Sequence, residues 1–192
     1  MANTPMPSSS VIHPFGAIEI PKVSDAVDYE LELAVVIGKR AKNVGVDAAM
    51  GYVAGYAIFN DISARKMNYP NRIEKTARDD WFDWLNGKWC DTFAAWGPWL
   101  VTADEIADPH DLEMELRVNG ELRQKGSTRQ MIFNIPETIA FLSDIFTLEP
   151  GDLIAMGTPA GVGDASNRYL KPGDVMTGTV AGLGALTNPI AG

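Results

Sequence analysis

The sequence predicts an α+β fold that is dominated by sheet and has few helices. Three observations carry this: short apolar runs punctuated by Pro, Gly and Asn, an Asn119-Gly120 hairpin signal, and a single stretch with sustained helical periodicity over residues 134–146. At roughly 100–200 residues per domain, 192 residues make one domain. Residues 1–20, rich in Pro and Ser near the start, read as an extended leading segment. From Tyr29, the phrase DYELELAVVIGK alternates apolar and acidic residues and then becomes an unbroken apolar run, the pattern of a strand entering a core. A short helix from about Asp47 leads into a strand through Ile58 and Phe59. The stretch from Ile62 to Asp91 reads as a long irregular loop, charged and rich in tryptophan.

Beyond it, MELRVNGELRQ is two strands about Asn119-Gly120. Residues 134–146 place Ile135, Ile139, Leu142 and Ile145 on one helical face, with Pro136 and Glu137 suited to a first turn. EPGD (Glu149 to Asp152) and KPGD (Lys171 to Asp174) are turns, each leading into a strand. The charge-free run from Val175 to Gly192 is long enough to consider as a membrane span, but its glycines, threonines and Pro189 make it sheet and turns.

With 25 acids against 16 Lys plus Arg, the net charge is −9, which argues against a nucleic-acid partner. An anionic substrate would need a local positive centre. The 46% hydrophobic and 21% charged contents exclude a disordered or fibrous chain. Cys90 is the single cysteine, so no internal disulfide forms, and no zinc-ligand spacing occurs; a reducing cytoplasm fits. MANTPMPSSS lacks the basic flank and apolar run of a secretory signal. GTPAGVGD lacks the lysine of a phosphate-binding loop.

Glu30 and Glu32 point to the same face of a strand, about 6.5–7 Å apart along the backbone. Like charges so placed repel unless solvent or a cation neutralises them. Asp61, at the end of the apolar run GYAIFN, can reach the same point. Two readings follow: a solvated strand face with a turn acid, or a site for a hard cation such as Mg²⁺ or Mn²⁺.

The phrases DYELELAVVIGK, GYAIFNDISAR, GKWCDTFAAWGPWLV, RVNGELRQKGSTRQMIFNIPETIAFLS and LEPGDLIAMGTPAGVG resemble, in order and spacing, the fumarylacetoacetate hydrolase superfamily, over about residues 8–187. The resemblance implies a mixed β-sheet roll or sandwich, a homodimer, and a Mg²⁺ or Mn²⁺ cofactor acting on 2-oxo acids and 1,3-diketones. It makes Glu30, Glu32 and Asp61 the metal ligands and Lys88 a catalytic residue beside the metal. Thr158 becomes a catalytic and substrate-contacting residue, and Thr92 a substrate-binding polar residue near the metal. Arg65 fixes the acids or meets the substrate carboxylate; an arginine suits both tasks. A 2-oxo acid chelates a cation through keto oxygen and carboxylate, which stabilises the enolate left by C–C cleavage, with Lys88 as a further donor.

Relatives usually carry a further N-terminal region, whereas this chain starts almost at the sheet core and has no His–Glu phrase before Glu30. Of the two histidines, His110 reads as a surface turn residue and His13 as a loop residue without a partner. A metal-bound water, or Glu74, Asp79 or Asp80, are the other candidate bases. Trp81, Phe82, Trp84 and Trp89 form a lid, a dimer contact or a satellite apolar cluster. The resulting expectation is a hydrolase that cleaves a C–C bond in an acylpyruvate-like or β-diketo acid. The alternatives are an oxaloacetate-type decarboxylase, an oxo-dienoate isomerase, and a silent oxo-acid-binding member.

Overall fold

The computed structural model describes residues 5–192. Its strands in chain order are β1 (Val11–Ile12), β2 (Ile18–Glu19), β3 (Val27–Asp28), β4 (Leu31–Ile37), β5 (Val53–Asp61), β6 (Ser63–Ala64), β7 (Ala94–Thr102), β8 (Glu113–Val118), β9 (Glu121–Ser127), β10 (Leu153–Ala155), β11 (Val175–Val180) and β12 (Gly184–Ala191). Three α-helices accompany them: α1 (Val46–Ala49), α2 (Ala77–Asn86) and α3 (Ile135–Ile145). The fold is the sheet-dominated α+β arrangement that the sequence predicts.

Two five-stranded sheets form its body, in the orders β1-β7-β5-β4-β10 and β2-β12-β11-β8-β9, and β3 pairs with β6 as a separate ladder. Both large sheets are mixed, because β1 runs parallel to β7 and β2 parallel to β12 while the remaining pairs are antiparallel. The leading segment is therefore not merely extended. It gives one short strand to each sheet.

β4 is buried along its whole length, which its apolar run predicts; that Glu32 is buried with it is not apparent from the run alone. The inner faces meet closely at Gly178 of β11, where a β-carbon would lie 2.6 Å from Leu31 Cδ1. A glycine there lets the sheets approach.

Local signals hold where they are strong. Asn119 (φ 51°) and Gly120 (φ 80°) make the left-handed turn between β8 and β9. In α3, Asn134 caps the start: its side chain accepts from Glu137 N, and the Glu137 side chain accepts from Asn134 N. Ile135, Ile139 and Leu142 are buried as the periodicity requires, but Ile145, in the last turn, is 61% exposed. In EPGD and KPGD the Asp152 and Asp174 carboxylates accept from the amides of Glu149 and Lys171, and β10 and β11 follow.

The stretch 62–91 departs from expectation, since it contains α2 and β6. Thr76 and Asp79 form a reciprocal capping box at the start of α2. No helix among the described residues is long and apolar enough to cross a membrane.

Candidate metal centre

β4 and β5 pair antiparallel, with Leu31 opposite Asn60 and Glu32 opposite Phe59. One residue further on, Asp61 N donates to Glu30 O at 2.9 Å, so the last residue of β5 lies across from Glu30. The twofold alternation of a strand puts Glu30 and Glu32 on one face, and Asp61 joins them. The three offer carboxylate oxygens that lie within 4.8 Å of one another. Glu32 is 4% exposed and Asp61 7%, which rules out the solvated strand face.

Lys88 arrives from the other side. Ala64 N donates to Gly87 O at 2.8 Å, tying the end of α2 to β6, and a β-carbon on Gly87 would sit 2.3 Å from Ala64 O. Only glycine permits that approach, and the next residue is thereby directed inward. The Lys88 ammonium donates to Glu30 Oε2 (2.9 Å), Asp61 Oδ2 (2.5 Å) and Ser63 Oγ (3.0 Å), and lies 5.8 Å from the Trp84 ring centroid. An ammonium has three protons, and all three are engaged.

Arg65 binds two acids at once. Its Nε donates to Asp28 Oδ2 at 2.9 Å and its Nη2 to Glu30 Oε1. With Ser63 it also lines a cavity of about 100 Å³, walled by Lys75, Asp80, Asp83 and Trp84. Thr158 stands on the loop after β10, where its hydroxyl accepts from Gln124 Nε2 at 2.8 Å and keeps its own proton to donate. The preceding Gly157 N donates to Glu32 Oε2 at 2.5 Å. Thr92 lies apart from this network: its hydroxyl accepts from Glu19 N at 2.9 Å and fastens the leading segment.

The electrostatics are those of a site short of positive charge. Four carboxylates (Asp28, Glu30, Glu32, Asp61) and two cations (Arg65, Lys88) share one bonded or touching network, leaving a formal charge of −2. Burial, then the charges of Asp61 and Glu30, push the Glu32 carboxyl well above the usual range. Burial pushes Asp61 up to about 6; Lys88 opposes this and Glu30 adds to it. Burial disfavours the Lys88 ammonium, but Asp61 and Glu30 overcome that and raise its pKa. Asp61 Oδ1 is buried with no hydrogen-bond partner. Clustered carboxylate oxygens, one orphaned, with a charge deficit of two and no His or Cys in the set, fit a hard divalent cation.

Neither histidine belongs to this network. His13 lines a groove with Trp96, Pro98 and Trp99. His110 is more than a surface residue, since its Nε2 accepts from Ile135 N at 3.2 Å and serves the start of α3. Asp79 caps α2, Asp80 pairs with Lys75 at 2.7 Å, and Glu74 is exposed. Trp81 and Phe82 are about half exposed and Trp84 packs 5.2 Å from Trp81.

Ser63, Gln124 and Asp28 were not identified from the sequence. Asp28 continues the alternation of Glu30 and Glu32 backwards by two and was in principle visible. Nothing local marks Gln124, which reaches across from β9 so that its Oε1 accepts from Leu31 N at 3.0 Å.

The profile of the family described as fumarylacetoacetate (FAA) hydrolase, C-terminal, matches residues 5–191. The chain belongs to that family. A mitochondrial oxaloacetate tautomerase of Xenopus laevis is 44% identical over 185 residues, which are 95% of this chain and 56% of that protein. Among solved structures, 5-carboxymethyl-2-hydroxymuconate delta-isomerase from Mycobacterium smegmatis is 38% identical with a TM-score of 0.83, covering 97% of this chain and 67% of the other. Maleylpyruvate hydrolase from Sphingobium sp. SYK-6, solved with manganese(II) and pyruvate, is 35% identical with a TM-score of 0.82, covering 97% and 62%. The chain thus spans little more than half of the tautomerase and about two thirds of the two crystallised enzymes. Fumarylacetoacetate hydrolase family members similar to this chain therefore include hydrolases, isomerases and tautomerases of oxo acids.

Proposed function

We propose that this chain is the catalytic domain of a Mg²⁺- or Mn²⁺-dependent enzyme that hydrolyses a C–C bond in an acylpyruvate-like or β-diketo acid. The observation that carries the reading is the trio of Glu30, Glu32 and Asp61, the last two buried and the first partly so, within a network that is formally two positive charges short. When bound there, a divalent cation supplies Lewis-acid polarisation of a keto oxygen and charge compensation for an enolate.

The protein's own residues do the rest. Glu30, Glu32 and Asp61 hold three oxygens on one side, leaving other positions to substrate and water. Lys88 holds Glu30 and Asp61 in place through its ammonium, and Arg65 holds Glu30 from its other oxygen. Arg65 has N–H groups beyond the two it gives to Asp28 and Glu30, and faces a cavity in which a substrate carboxylate would find a partner. Thr158, next to the Gly157 amide that binds Glu32, keeps a hydroxyl proton to offer. Trp84 of α2 gives that cavity an apolar wall beside Asp80 and Asp83. A homodimer in a reducing cytoplasm belongs to the same reading.

A second reading is tautomerisation or isomerisation of a 2-oxo acid. It is favoured by the placement of His13 and His110 away from the carboxylates, since hydrolysis needs an activated water and neither imidazole is at hand to activate one. Both readings share the enolate.

The test is a panel of diketo and 2-oxo acids with Mg²⁺ or Mn²⁺, followed by mass analysis of products. Gain of water marks the hydrolase, unchanged mass the isomerase, and release of CO₂ a decarboxylase. No turnover of any member by the metal-loaded protein, or turnover unchanged in Glu30→Ala and Glu32→Ala, overturns the proposal.

A further inference from the structure

Asp28 is wholly buried in β3, opposite Ser63 of β6. It enters the charge balance of the site, but no step above is assigned to it. Its carboxylate accepts four N–H groups: Oδ1 from Tyr29 N (2.8 Å) and Gly163 N (2.6 Å), Oδ2 from Asp164 N (3.0 Å) and Arg65 Nε (2.9 Å). A carboxylate has about four lone-pair sites, so this one is saturated. A buried charge is tolerated only when so paired, and here the partners come from three separate stretches of chain.

Two of those stretches belong to the site. Arg65 carries its other arm to Glu30 Oε1, so Asp28 decides from which side the guanidinium meets that ligand. By holding Nε, Asp28 also shares the guanidinium's charge and keeps Arg65 from neutralising Glu30 alone. The second stretch is the loop 157–164, which carries Thr158. Its front is fixed to Glu32 through Gly157 N and to Gln124 through the Thr158 hydroxyl and Pro159 O, and its rear to Asp28 through Gly163 and Asp164.

We propose that Asp28 is a positioning residue that sets, through one buried carboxylate, both the face of Glu30 offered to the cation and the placement of the Thr158 loop. The inference rests on the reading of Glu30, Glu32 and Asp61 as the cation site. Cation binding and loop order are then coupled, and coupling between two sites is reciprocal.

Three measurements on the whole chain test it: Mn²⁺ affinity from the electron paramagnetic resonance of free Mn²⁺, amide hydrogen exchange at Gly163 and Asp164, and circular dichroism for folding. In Asp28→Asn, which keeps size but loses charge and two acceptor sites, Mn²⁺ affinity falls about tenfold or more. The two amides exchange about tenfold faster without metal. Asp28→Glu restores charge but displaces it, so it rescues neither quantity; a role in charge alone would let it rescue affinity. In the wild type, saturating Mn²⁺ slows exchange at both amides, a reading that stands even where Asp28→Asn does not fold.

Wild-type Mn²⁺ affinity and amide protection in a folded Asp28→Asn variant overturn the proposal, as does a wild-type loop whose exchange ignores bound Mn²⁺. A lowered melting temperature alone marks a structural residue and also overturns it. If the wild type binds no Mn²⁺, the cation-site reading falls, and with it the Glu30 half of the inference. Exchange at Gly163 and Asp164 in Asp28→Asn then judges the loop half separately.

Discussion

Lys88 and Asp61 meet at 2.5 Å inside the protein, and the far oxygen of the same Asp61 carboxylate is buried without a partner. The lysine thus balances one side of the carboxylate, and on the proposed reading the other side is left for a cation. Removing the lysine strands the buried Asp61 carboxylate and leaves Glu30 with Arg65 alone, and breaking such a buried pair typically costs about 3–5 kcal/mol. Lys88→Met is expected to lower the melting temperature of the metal-free protein substantially. Saturating Mn²⁺ should recover part of the loss, and turnover should drop by at least about a hundredfold. Differential scanning calorimetry with and without Mn²⁺ checks the first two. A variant as stable as wild type would show that the ion pair balances nothing.

Glu32 presents the opposite case. It is buried, its carboxyl is raised well above the usual range by burial and by Asp61 and Glu30, and its one recorded bond comes from Gly157 N. Glu32→Gln keeps an acceptor for that amide while removing the repulsion. The metal-free variant should therefore melt higher than wild type at pH 8, by about 2–4 °C for each kcal/mol relieved in a chain of this size. Its Mn²⁺ affinity should fall by about a hundredfold or more. A melting temperature that falls together with affinity would argue that Glu32 is held by bonds beyond those described.

The Asp61 carboxyl, pushed up to about 6 by burial against an ordinary 3.8, fixes the sign of a pH dependence. Its folded pKa is raised, so its contribution to metal-free stability is fully present below about pH 3.8 and lost as pH rises through about 6. A divalent cation competes with the same proton, so Mn²⁺ affinity should weaken as pH falls from 7 to 5. The two effects run in opposite directions. Melting curves in a chelator and Mn²⁺ titrations over pH 5–8, each compared with Asp61→Asn, isolate this group from other carboxylates. A pH-independent Mn²⁺ affinity would contradict the assignment of Asp61 as a ligand.

How much of this is legible in sequence depends on the range of the interaction. Asn119-Gly120, the first turn of α3 at Pro136 and Glu137, and the Asp152 and Asp174 turns are settled within four residues, and all appear where their signals lie. Glu30, Glu32 and Asp61 are legible because strand alternation and a strand end are local facts too. The pairing of Val11 with Ala94 and Ile18 with Ile190 is not, because nothing near residues 11–19 names a partner so distant. Gln124 and Ser63 escape for the same reason. The helix α2 escapes because Asp83 alone among its residues is buried, so its face toward the protein carries no apolar period.

That same Asp83 supports the last prediction. Arg72 grips it with two bonds, Nη2 to Oδ1 at 2.6 Å and Nη1 to Oδ2 at 2.7 Å, and Lys75 lies 3.3 Å away. The Arg72 bond, with Lys75 assisting, holds the Asp83 carboxyl below the usual range despite its burial. The clamp joins the stretch before α2 to the middle of the helix, and apolar contact there is sparse: Ile73 is fully exposed and Trp81 and Phe82 half so. Segments held by few buried contacts open before the whole protein does. Arg72→Ala should therefore speed thermolysin cleavage within residues 69–86 several-fold while leaving the global melting temperature within about 2 °C. In the wild type the same loosening should appear on acidification. A depressed carboxyl contributes stability above its unfolded value of 3.8, and that stability is lost as pH falls through the lower folded value. Because Gly87 and Lys88 follow directly on α2, turnover should decline in Arg72→Ala with Mn²⁺ affinity nearly unchanged, since the three proposed ligands, Glu30, Glu32 and Asp61, lie outside the loosened segment. Cleavage at the wild-type rate would place the restraint on α2 elsewhere, in the Trp84 packing or the Gly87 contact with Ala64.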